Sequence, residues 1–415
     1  MKILISAVGD TDPIRNFHDG PLLHIVRVYR PEKIVLVHSE RSLTKHDKLV
    51  KALKSIKDYS PEIIQDGGVL QDAKVAIFDE MYDTVSSIVK KYISDDEIIL
   101  NISSATPQII SAMFAVNRIS DFNVTAVQVL TPQHKSNEGL RHDNQEDIDT
   151  LIETNLDNQS DYTIRTLEDT GMKFSLDLTK RNLKALIDNY DYQGALELLR
   201  ALKLPKKQES FSNIKELRKK LTEISDTIKI QGMPDKIVKS NLSNQAKSAL
   251  NSYLNIDRNH KQGNIAEVLI RVKSLVEFIL EDYLNNHFLD VITYKDGKPF
   301  LNTSKYPEIL KKFQEDAKMR GKKYHSGYLS LPTYIVILKF FEPNHDLLKH
   351  IYEIQKINQV RNQVAHSLQA FDRENLTKVS SAVFESKQIL LASFDIDNHW
   401  FSFYEDLNQE IKKLL

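Results

Sequence analysis

The chain has no cysteine among its 415 residues. That excludes disulfides, thiolate metal sites and a cysteine nucleophile, and it fits a reducing cytoplasm. An excess of charge is missing too, since 56 Lys+Arg stand against 57 Asp+Glu. Any nucleic-acid site must therefore be a local patch. No apolar run reaches about 18 residues, so no membrane span is expected. Met1-Lys2-Ile3-Leu4-Ile5-Ser6 opens directly as a strand, so no signal peptide is expected. There is no internal repeat and no low-complexity tract. Neither a Gly-x-Gly-x-x-Gly loop nor a Walker Lys-Ser/Thr occurs, so NAD and ATP are not expected.

What is present is ordinary in bulk, 41% hydrophobic and 27% charged. The length implies two or three domains with ample core. Residues 1 to about 170 alternate strand and helix. Ile3–Val8, Lys33–His38, Glu62–Gln65, Glu97–Ile102 and Asn123–Leu130 read as strands. Most are continuous apolar runs, as strands buried on both faces require. Pro21–Tyr29, His46–Ile56, Lys74–Tyr92 and Pro107–Ile119 read as helices between them. This order predicts an open, mostly parallel α/β sheet, which binds ligands at the carboxyl ends of its strands.

Two strand ends carry chemistry. One is Ala7-Val8-Gly9-Asp10-Thr11-Asp12-Pro13, the other Asn101-Ile102-Ser103-Ser104-Ala105-Thr106-Pro107-Gln108. Each alone serves equally well as a helix cap. Together on one sheet edge they offer amides and small polar groups to a phosphate or ribose. Thr131-Pro132-Gln133-His134-Lys135 leaves the last strand and is placed either to close over a ligand or simply to exit.

Residues 157–175 read as polar loop. From Leu176 the pattern is helical: Thr179–Tyr190, Tyr192–Ala201, Phe211–Ser225 and Lys236–Ala249. The basic residues Lys206–Lys207 and Arg218–Lys220 read as a solvated face or an RNA contact. Ile265–Leu284 is strongly amphipathic. An irregular stretch, Tyr294–Gly327, separates it from Thr333–Phe341, Leu347–His366, Arg373–Leu391 and Phe401–Leu415. These predict a C-terminal helical bundle.

Inside that bundle lies Arg361-Asn362-Gln363-Val364-Ala365-His366. Arginine supplies fixed positive charge for a crowded phosphate, and histidine relays protons near neutral pH. That pair is what metal-free RNA cleavage needs, and Asn362 is placed to orient the phosphate or the histidine. The same spacing recurs at Arg41/His46 and Arg320/His325, but those fall in loops. Residues five apart on a helix differ by roughly 140° in direction. Either the helix breaks at the motif, or two copies share a groove in a two-fold dimer.

The loops Gly9–Pro13 and Ser104–Gln108 resemble those of a CARF domain, which is Rossmann-like. The bundle with Arg361 and His366 resembles a HEPN ribonuclease domain. In this order they resemble, over essentially the whole chain, the Csm-type CARF–HEPN accessory ribonucleases of type III-A CRISPR systems. The resemblance implies a CARF sensor over residues 1–172, a helical linker over 173–258 and a HEPN domain over 259–415. It implies a cytoplasmic homodimer that binds a cyclic oligoadenylate, with the hexamer favoured over the tetramer by overall similarity. Gly9, Asp10, Thr11, Asp12, Ser103, Ser104, Ala105, Thr106, Gln108 and His134 are the expected ligand contacts. Arg361, Asn362 and His366 are the expected catalytic residues, with no metal. The implied activity is cleavage of single-stranded RNA in type III CRISPR antiviral defence, leaving 2′,3′-cyclic phosphate and 5′-hydroxyl ends. Some members also slowly cleave their own activator, and Thr106 would then contact the ring. The competing readings are a ligand-responsive CARF transcription factor and a non-catalytic nucleotide-binding scaffold.

Overall fold

The computed structural model describes residues 1–93, 97–119, 122–132, 147–201, 213–319, 321, 327–357 and 373–415. The chain divides into two compact units, Met1–Leu178 and Thr179–Leu415.

The first unit is built on a six-stranded sheet. Its strands are β1 (Lys2–Ala7), β2 (Lys33–Ser39), β3 (Glu62–Leu70), β4 (Glu97–Asn101), β5 (Val124–Val129) and β6 (Thr166–Glu168). Their spatial order is β3-β2-β1-β4-β5-β6. The first five run parallel, and β6 closes the β5 edge antiparallel. Period-2 side-chain alternation sends Ile3, Ile5 and Ala7 to one face of β1 and Leu4 to the other. Helices α3 (Phe78–Tyr92) and α4 (Pro107–Ile119) supply Met81, Val85, Ile109 and Met113 to the first face. Helices α1 (Pro21–Tyr29) and α2 (His46–Lys54) supply Leu22, Ile25, Leu49 and Leu53 to the second. Both faces are thus covered at the centre of the sheet, which is why β1, β2 and β4 read as apolar runs.

The strand order reverses between β1 and β4, both at the centre of the sheet. This is the topological switch point, where crossovers leave in opposite directions and open a crevice. The Gly9 and Ser103 loops leave these two strands. The polar stretch 157–175 is not all loop. It contains β6 and the start of a helix, α5 (Met172–Asp188), that runs on past residue 178.

The second unit is helical. Asn244–Lys261 and Ile265–His287 pack together, and Arg373–Ser393 packs on both. Leu347–Gln355 lies against Arg373–Ser393. Val268, Val272, Leu275, Val276 and Ile279 form the buried stripe of the long helix. Two sequence expectations are corrected here. Lys236–Ala249 is not one helix. It is split into Asp235–Val238 and the helix beginning at Asn244, whose Ser243 N-cap accepts from the Ala246 amide. The stretch Tyr294–Gly327 is not wholly irregular. It holds an antiparallel hairpin, Ile292–Lys295 with Lys298–Leu301, and the helix Pro307–Met319. Among the described residues no helix is long and apolar enough to cross a membrane.

Candidate ligand-binding site

The two expected loops meet at the switch point. Gly9 is favoured there by close approach. A Cβ on it would lie 3.1 Å from the Ala105 nitrogen and 3.2 Å from the Ser104 Cβ. Ala105 itself holds φ +132°. Such backbone costs a side-chain-bearing residue about 1–3 kcal/mol and persists where surroundings impose it, often at ligand loops.

Not every expected contact faces outward. Asp12 is buried, and its carboxylate accepts from the Gly9 amide at 3.0 Å and from the Leu22 amide at 3.0 Å. It therefore ties the loop to the first turn of α1, satisfying an otherwise orphaned helix amide. Burial pushes its pKa up, against those amides and Lys45. The buried Ser104 hydroxyl lies near enough to favour the Asp12 anion, yet completes no regular hydrogen bond. Ser103 is also engaged. Its hydroxyl accepts from the Val129 amide at 2.7 Å, and its own amide donates to Asn101 Oδ1 at 2.9 Å. Asn101 in turn donates to Ser6 Oγ at 2.9 Å, locking β4 to β1 beneath the crevice.

Asp10 is exposed, and Thr11, Ala105, Thr106 and Gln108 are partly so. The Thr106 hydroxyl donates to the Val75 carbonyl at 3.1 Å and faces the Ile109 amide at 3.5 Å, near the start of α4. Opposite, Lys45 donates to the carbonyls of Gly9 at 3.2 Å and Asp10 at 3.0 Å. Burial draws the Lys45 pKa down, with Asp10 and Asp12 opposing. Arg41 pairs with Asp10 at 3.3 Å. The edge thus sets the exposed Asp10 and Arg41 and the partly exposed Thr11 and Thr106 over a buried floor braced by Asp12, Ser104 and Lys45, a polar and cationic setting suited to a phosphate-bearing ligand. His134 lies outside the described residues, as do Arg361, Asn362 and His366.

Sequence reasoning missed Lys45 because it placed Arg41–His46 in a loop, whereas Glu40–Leu43 is a short helix and another begins at His46, with Lys45 at the turn between them. It also missed a buried network beside the edge. Asp19 accepts from Arg27 Nε at 2.6 Å and Asn155 Nδ2 at 2.7 Å. Asp157 accepts from Arg165 Nη2 at 2.8 Å and the Asp19 amide at 2.8 Å. Burial opposes Asp157 ionisation, but His24, that amide and Arg165 hold its carboxyl well below the usual range. The Arg165 amide donates to His24 Nε2 at 3.0 Å, which leaves the ring proton on Nδ1 toward both carboxylates. Asp19, His24 and Asp157 are close enough for a metal ion, but Arg27 and Arg165 already neutralise them. The visible signal was His24 inside the apolar run Leu22-Leu23-His24-Ile25-Val26. Asp157 and Arg165 of this network line a cavity of about 410 Å³ together with Thr131, Pro132 and Tyr162.

A doubly wound sensor sheet with polar loops at its switch point, followed by a helical unit, defines the class. The family model described as the Cas_Csm6 CARF domain matches residues 62–166, and the one described as the Cas_Csm6 HEPN domain matches residues 236–412. This is a CARF–HEPN nuclease architecture. A relative named CRISPR system endoribonuclease Csm6, from Streptococcus thermophilus, is 41% identical over 430 residues and covers 100% of both chains. Another from that organism, Csm6′, is 39% identical over 411 residues, 99% of this chain and 98% of the other. The solved structure of Enterococcus italicus Csm6 bound to cyclic hexa-2′-fluoro-hexa-dAMP is 31% identical, covers 100% of both chains and superposes with a TM-score of 0.71. The chain belongs to the Csm6 family of CRISPR endoribonucleases.

Proposed function

We propose that this chain is a cyclic-oligoadenylate-activated, metal-independent endoribonuclease of type III CRISPR defence. The observation that carries the reading is the full-length likeness to a Csm6 with a cyclic hexaadenylate analogue bound, together with a polar, cationic loop pair at the switch point of this chain's own sheet. The activator is a cyclic oligoadenylate, the hexamer before the tetramer. Its contacts are Gly9, Asp10, Thr11, Ser103, Ala105, Thr106, Gln108 and His134, with Asp12 and Ser104 shaping the loops from beneath. The protein acts as a cytoplasmic homodimer, with residues 173–258 linking sensor to nuclease.

In the nuclease, the 2′-hydroxyl of single-stranded RNA attacks the adjacent phosphorus. The bond to the 5′-oxygen breaks, leaving a 2′,3′-cyclic phosphate and a 5′-hydroxyl. His366 moves a proton off the attacking oxygen or onto the leaving one. Arg361 neutralises the phosphorane, and Asn362 orients the phosphate. Slow cleavage of the ring at Thr106 is a second activity of the same design. Family membership across both domains speaks against a transcription factor or an inert scaffold.

The test is cleavage of a labelled single-stranded RNA in EDTA, with and without cyclic hexaadenylate. Cleavage is expected only with the ring, unaffected by chelation. His366→Ala and Arg361→Ala should each lower the rate about 10²–10⁴-fold. Near wild-type rates in these variants would overturn the catalytic assignment. Silence with both hexamer and tetramer would overturn the activator.

A further inference from the structure

We propose that α4 is a rod that reports ligand occupancy to the helix leaving the sensor, through a clamp of Arg118 and Phe114 on Asp169–Phe174. This rests on the activator reading above and adds the route by which the sensor acts.

The amino end of α4 is the ligand loop itself. The Thr106 carbonyl accepts from the Ile110 amide at 3.1 Å, so the loop and the first turn move together. The helix has 13 residues, about 20 Å of stiff backbone at 1.5 Å per residue. At its far end the Arg118 side chain is only 7% exposed and pairs with Asp169 Oδ1 at 3.0 Å. It also donates to the Asp169 carbonyl. The guanidinium lies 5.1 Å from the centre of the Phe114 ring. Phe114 meets Phe174 edge-on, with ring centres 5.6 Å apart. Gly171, at φ +52°, presses against the same guanidinium. A Cβ there would fall 1.7 Å from Arg118 Nε.

The gripped segment is where the chain exits. The Gly171 amide donates to Asp169 Oδ1 at 2.8 Å, and the Ser175 amide to the Gly171 carbonyl at 3.0 Å. Helix α5 begins at Met172, carries Phe174 in its first turn and continues into the second unit. A displacement of the Ser104–Thr106 loop therefore reaches the root of α5 with no slack between. The clamp is also imperfectly satisfied. Arg118 Nε is buried with no hydrogen-bond partner among the described residues. A buried donor left unpaired gives any competing arrangement that pairs it something to gain, and a packed contact with two arrangements is what a ligand can bias.

The experiment uses the full chain. Arg118→Met removes the grip, and Gly171→Ala displaces it while keeping the charge. Phe114→Leu is the milder variant should either of these fail to fold, judged by melting. Cyclic hexaadenylate affinity is measured by calorimetry, and RNase activation as the ratio of rates with and without saturating ring. The expected result is affinity within about twofold of wild type and an activation ratio reduced about tenfold or more, the ordinary size of an allosteric coupling. An unchanged ratio overturns the proposal. So does a loss of affinity that tracks the loss of activation, which would make the clamp a fold determinant only. A wild-type chain that binds no ring would instead fail the activator reading, and the route would fall with it.

Discussion

His38, next to last in β2, is stripped of water, with a second imidazole beside it. Its Nε2 lies 3.0 Å from His46 Nδ1, and its Nδ1 lies 3.3 Å from Ser42 Oγ. Burial, then repulsion from His46, lowers its pKa from 6.5 to about 4. A depressed folded-state pKa contributes stability that is present above the unfolded value of 6.5 and lost as pH falls through about 4. By pH 5 the loss is roughly 2 kcal/mol. Urea unfolding of wild type and His38→Gln at pH 7.5 and pH 5.0 should show that excess loss in wild type only. Parallel losses would mean that His38 titrates normally. At this scale the sequence was only partly legible. Arg361 and His366, named by their spacing, lie outside the described residues, whereas composition singled out the strand-end residues that meet at the switch point. Which of those turn inward was not legible. Asp12 and Asp10 are two residues apart with the same chemistry, and only the depth of the crevice makes one a brace and the other a rim.

Helix starts were the most readable elements. Gly20-Pro21 and Thr106-Pro107 mark α1 and α4, because proline suits the first helical turn. The hairpin at Ile292–Leu301 had its own mark, Asp296-Gly297. Both residues hold positive φ, +50° and +71°, the requirement of a two-residue type I′ turn. Pro299 masked that signal, since a proline within a short run argues against a strand unless it is an edge. Strand β6 has three residues and reads as polar, too short for any period to show. The paired loops also make an element-level prediction. Gly9→Val would force a branched side chain between Gly9 and Ser104–Ala105. Overpacking of this kind costs roughly 1–3 kcal/mol, so ring binding should weaken about tenfold while circular dichroism stays unchanged. Unaltered affinity would show that the loops need not approach so closely to hold the ligand.

For the whole molecule, class and order of parts were legible, because strand–helix alternation and an amphipathic bundle have different periods. The switch point itself was not, since strand order depends on pairings between residues as distant as 3 and 98. A chain of 47.8 kDa acting as a two-fold dimer should scatter light as a particle of about twice that mass. Cyclic hexaadenylate at about 100 times its Kd should stabilise the fold by ~2.7 kcal/mol, seen as a raised melting midpoint. A monomeric mass, or a midpoint indifferent to the ring, would contradict the dimeric sensor. The central position of β1 also has a consequence for synthesis. Strand β1 finds its neighbours only at residues 33–37 and 97–100. On the proposed route, the far end of α4 meets Asp169 first and Phe174 only once that residue has been added. Strand β1 is therefore flanked on both sides only after residue 100 has been made, and a chain broken off before residue 174 keeps both ligand loops but lacks the proposed contact of Phe114 with Phe174.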